Sequence, residues 1–121
     1  MALEREFVAA GGLLLAGPDP TGAGHVVPGF SDQRELELLV DAGFSPLEAI
    51  RIGTLNGAIY EGLTDRIGSI APGKDADLLV VRGDPASRIG DVENVEYVFK
   101  DGVGYDPRKL LSSVAHDYGR Y

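Results

Sequence analysis

The residue with the strongest chemical case is Asp19, in the stretch Gly17-Pro18-Asp19-Pro20-Thr21-Gly22. By composition alone this is turn chemistry, since two prolines and two glycines oppose both helix and strand. What precedes it gives the carboxylate its interest. Leu13-Leu14-Leu15-Ala16 is apolar at every position, which suits a strand buried on both faces of a parallel α/β sheet rather than one half-exposed to water. Ligand sites in such folds gather beyond the carboxyl ends of the strands. A carboxylate placed there can bind a metal ion and can accept a proton from activated water. His25 lies in the loop that follows and is a candidate substrate-binding residue, with an ordinary surface histidine as the alternative. His116, in the polar tail, reads as a solvated side chain. Neither histidine belongs to a His-x-His or His-Glu-x-x-His pair. Catalytic zinc commonly takes three protein ligands, and Asp19 with His25 supplies at most two.

Two other motifs carry less. Gly68-Ser69-Ile70-Ala71-Pro72-Gly73-Lys74 has the spacing of a phosphate-binding loop. Asp75 stands where a magnesium-binding Ser or Thr is needed, and a strand rather than a helix is expected next, so a β-turn is the better reading. Arg82-Gly83-Asp84 resembles an adhesion tripeptide and reads as a strand-ending turn.

The elements that position these residues follow from chain punctuation. Residues 2–10 have helical spacing and stop at Gly11-Gly12. A second helix is expected from an N-cap at Asp32, with Glu35 in capping-box spacing, to Gly43. Ser45-Pro46-Leu47-Glu48 is a stronger start, with Ser at the cap, Pro in the first turn and Glu at the third position. Thr54-Leu55-Asn56-Gly57 restarts or continues that helix to Gly62. From Arg66 the pattern becomes strand-like, with short runs at 67–70 and 76–82. Val95 to Tyr105, interrupted by Asp101-Gly102, calls for a two-residue hairpin. A closing helix is expected over 107–114.

Composition narrows the class. The chain has 121 residues, 44% of them hydrophobic, with 19 acidic residues against 11 basic, a net charge of −8 and no cysteine. Nucleic-acid binding is not expected of it, because no stretch is Lys/Arg-rich. Disulfides, thiolate metal sites and cysteine nucleophiles are excluded. No apolar run approaches a membrane span, and no signal-peptide core opens the chain, so a cytoplasmic location is expected. One lone parallel-type strand followed by small antiparallel ones makes the chain look like a piece of a larger α/β architecture.

Several segments, in this order and spacing, resemble the C-terminal portion of the amidohydrolase superfamily, in its imidazolonepropionase-like and prolidase-like branch. Residues 13–19 look like the last barrel strand and the Asp that ends it. Residues 35–50 and Thr54-Leu55-Asn56-Gly57-Ala58 are similar to the helices that follow. The most specific similarity lies in Arg66-Ile67-Gly68-Ser69-Ile70-Ala71-Pro72-Gly73-Lys74-Asp75-Ala76-Asp77-Leu78, with Val98-Phe99-Lys100-Asp101-Gly102 behind it. The resemblance implies an α/β fragment: the last strand and helices of a (β/α)8 barrel (residues 1–62), then a small antiparallel β-sandwich layer (63–106) and a tail (107–121). It also implies hydrolysis of a C–N bond in a small amide, cyclic amide or dipeptide by a metal-activated hydroxide. Zinc is the expected metal, and Asp19 would be both ligand and proton acceptor. The family has a small residue after this Asp and Thr before it, whereas Pro18 and Pro20 flank Asp19. The family's His-x-His, its bridging Lys or acid and its two later histidines have no counterpart here. The chain alone is therefore expected to hold no metal and to be inactive. Association with the rest of the barrel or with a second copy is expected. A free-standing binding or assembly module, keeping the fold without the chemistry, is the alternative.

Overall fold

The computed structural model describes residues 2–19, 26–27 and 29–115. Helix α1, Ala2–Ala9, ends where Gly11 takes φ +89° and the Gly12 N–H donates to the Phe7 carbonyl, a left-handed closure that glycine adopts without penalty. The chain then runs out to Asp19 with no regular secondary structure. The buried strand expected over 13–16 is not formed: Leu13 and Leu15 are exposed, and Leu14 and Ala16 half-buried. A strand exists through the ladder of a neighbour, and none of the described residues provides one.

Helix α2, Phe30–Asp41, starts one turn earlier than its sequence spacing predicts. Gly29 occupies the N-cap with φ +82° and Asp32 sits inside the first turn, making no capping bond. The start is set instead by a reciprocal pair: the Ser31 N–H donates to the Val27 carbonyl, and Ser31 Oγ accepts from the Val27 N–H at 2.8 Å. Helix α3, Pro46–Ile52, begins as its sequence predicts. Ser45 Oγ accepts from the Glu48 N–H, and the Glu48 carboxylate accepts from the Ser45 N–H at 2.7 Å, a complete capping box. Helix α4, Leu55–Glu61, follows after a break at Gly53 and ends at Gly62, φ +69°. A side chain at Gly53 would press on Leu36 of α2, so the break lies at a close contact with that helix.

Residues 67–69 form a bend and Ile70 no regular structure, rather than the strand expected over 67–70. Three antiparallel strands follow, β1 Leu78–Val81, β2 Val95–Lys100 and β3 Val103–Tyr105, in the order β1-β2-β3. Leu78 pairs with Phe99, and the register slips by a bulge between Val80 and Val81. The β2–β3 hairpin turns at Asp101 and Gly102, φ +51° and +78°, the two positive values that a type I′ turn requires. A 3₁₀ turn, Ile89–Glu93, lies between β1 and β2 and packs on α2, and α5, Pro107–Ser113, closes the described chain. Phe44, Ala49, Ile52, Ala58, Ile89 and Val92 are buried. The core thus lies among the α2–α4 helices and the 3₁₀ turn, with the sheet along one side.

Candidate functional site

Asp19 ends the irregular stretch 12–19 and is exposed. Among the described residues, residues 13–18 make one hydrogen bond with the rest of the molecule: the Asn56 side-chain N–H donates to the Leu14 carbonyl at 2.8 Å. Asn56 stands in the first turn of α4 and is 7% exposed. Pro18 and Ala16, with Leu36 and Val92, line a cavity of about 320 Å³ beside α2, so the segment lies along the helical layer with its carboxylate end outward. His25 and His116 lie outside the described residues. No group of three or more His, Cys, Asp or Glu side chains among the described residues could hold a metal ion. Asp19 is one oxygen donor and belongs to no such group among the described residues.

The glycine-rich stretch is occupied by its own lysine. Lys74 Nζ donates to Ser69 Oγ at 2.7 Å and to the Thr64 and Ile67 carbonyls, while the Asp75 N–H donates to the Arg66 carbonyl and the Arg66 guanidinium pairs with Asp75 at 2.7 Å. The ammonium that a phosphate would need is already satisfied. In the tripeptide, Arg82 pairs with Glu96 across the sheet at 2.7 Å, and Gly83, φ +117°, packs on the Asp91 carboxylate.

Asp91 and Asp77 are carboxylates that the sequence did not single out. Asp91 is buried; it accepts from the Asp84 N–H at 2.9 Å and from Arg88 Nε at 2.7 Å. These donors, the backbone one first, hold its carboxyl below the usual range. Asp77 accepts from the Asp101 N–H at 2.9 Å and from Lys100 Nζ, which lower its pKa in the same way, while the Asp77 and Asp101 carboxylates raise that of Lys100. Both carboxylates bind loops together.

The Amidohydrolase family model matches residues 17–104. The chain belongs to the amidohydrolase family. Its curated relatives include the adenine deaminase of Ligilactobacillus salivarius, 42% identical over 67 residues. That match covers 55% of this amidohydrolase chain and 11% of the relative. The adenine deaminase of Desulfatibacillum aliphaticivorans is 62% identical over 39 residues, covering 32% and 7%. Phenylurea hydrolase B superposes with a TM-score of 0.76 at 28% identity, over 90% of this chain and 27% of that one. An amidohydrolase from Thermotoga maritima MSB8 gives 0.71 at 33% identity, over 87% and 26%. The chain therefore spans a small part of the length of each relative. The family match opens two residues before Asp19 and ends at β3, so it takes in the irregular segment, the helical layer and the sheet. Within it, the sequence signal for Asn56 was the polar side chain set into an otherwise apolar helix start, Leu55-Asn56-Gly57-Ala58.

Proposed function

We propose that this chain is the C-terminal part of a metal-dependent amidohydrolase that cleaves a C–N bond in a small molecule. The observation that carries this is the family match over residues 17–104, which includes Asp19 at the end of its irregular segment. In the intact enzyme, residues 13–16 form the last barrel strand, with neighbours supplied from outside this chain, and β1–β3 form one layer of a small β-sandwich. When bound, a divalent metal ion, zinc in this reading, would supply the polarisation that activates an attacking water there. Its donors would come mainly from outside these residues, since catalytic zinc commonly takes about three protein ligands. Asp19 contributes a carboxylate oxygen to that site and takes up a proton during attack, and His25 contacts the substrate. The substrate is an amide, a cyclic amide or a dipeptide. A second copy of the chain, or the rest of the barrel, covers the exposed apolar face of residues 13–15.

The test uses the full-length protein and a panel of small amides, dipeptides and adenine. Turnover is expected to disappear on chelation and return with zinc. Asp19→Asn is expected to lower kcat by ~100-fold or more while leaving the fold intact. Turnover that survives both chelation and Asp19→Asn would remove the reading.

A further inference from the structure

We draw no further inference here: the strongest candidate, the apolar groove of about 460 Å³ between α2–α3 and β1 that the exposed Ile70 and Leu79 help to line, carries nothing because nothing in the structure shows what covers it.

Discussion

Asp91 does most of its work through loops. Its carboxylate gathers the Asp84 N–H, Arg88 and the close approach of Gly83 into one buried knot between β1 and β2. Because its folded pKa lies below the ordinary aspartate value, about 3.9, its ionised form stabilises the fold above that value. The contribution is lost as the pH falls through the depressed one. Asp91→Asn is therefore expected to lower the urea midpoint at neutral pH, with the gap to the parent protein narrowing below about pH 3.9. A gap of constant size down to pH 2 would mean that charge is not what Asp91 contributes. Neither Asp91 nor Asn56 could be ranked from sequence. Each matters through the partners it meets in the fold, and for Asn56 that partner, Leu14, is far away along the chain. Asp19 could be nominated from sequence because a carboxylate after an apolar run has meaning by position alone.

At the scale of elements, local chemistry was readable and long-range pairing was not. Ser45-Pro46-Leu47-Glu48 and Asp101-Gly102 carry their geometry within four residues or fewer, and both formed as expected. Residues 13–16 needed a neighbouring strand, and none of the described residues supplies one, so the run of leucines stays irregular and partly exposed. The helix start at Gly29 was missed because the Val27–Ser31 pair outcompetes a cap at Asp32. Two substitutions test these elements. Ser45→Ala removes the capping box and is expected to cost about 1 kcal/mol in urea unfolding; a neutral result would show that packing alone holds α3. Gly68→Ala puts a methyl group against Ala58 and Leu55 at φ +85°. Its cost should exceed the roughly 1 kcal/mol of backbone strain alone, so a change below that would mean the loop can shift away from α4.

The whole molecule presents much apolar surface. Ile70 is 89% exposed, Leu3, Tyr60 and Tyr97 are more than half exposed, and a groove of about 460 Å³ runs between α2–α3 and β1. Both edges of the three-stranded sheet lack a partner among the described residues. Surfaces of this kind belong to interfaces. Prepared by itself, the 121-residue chain is expected to self-associate, and light scattering that reports a monomer over a wide concentration range would contradict this. The same chain is expected to bind zinc no tighter than weakly, because one exposed carboxylate does not make a site. One-to-one binding at micromolar zinc or below, measured by titration, would show that it carries more ligands than Asp19 and His25.

The Asn56 amide stands directly before Gly57, and Asn-Gly is the pair in which a side-chain amide cyclises most readily onto the next backbone nitrogen. Burial and the helical backbone of α4 hold these two residues out of the geometry that the ring closure needs. Each excursion to the unfolded state lifts that protection, and asparagine is among the residues that heat degrades chemically. The product, an aspartate or isoaspartate, lacks the donor that Leu14 requires. Storage or heating should therefore convert reversible unfolding into permanent loss at one dipeptide, visible by peptide mapping before any backbone cleavage.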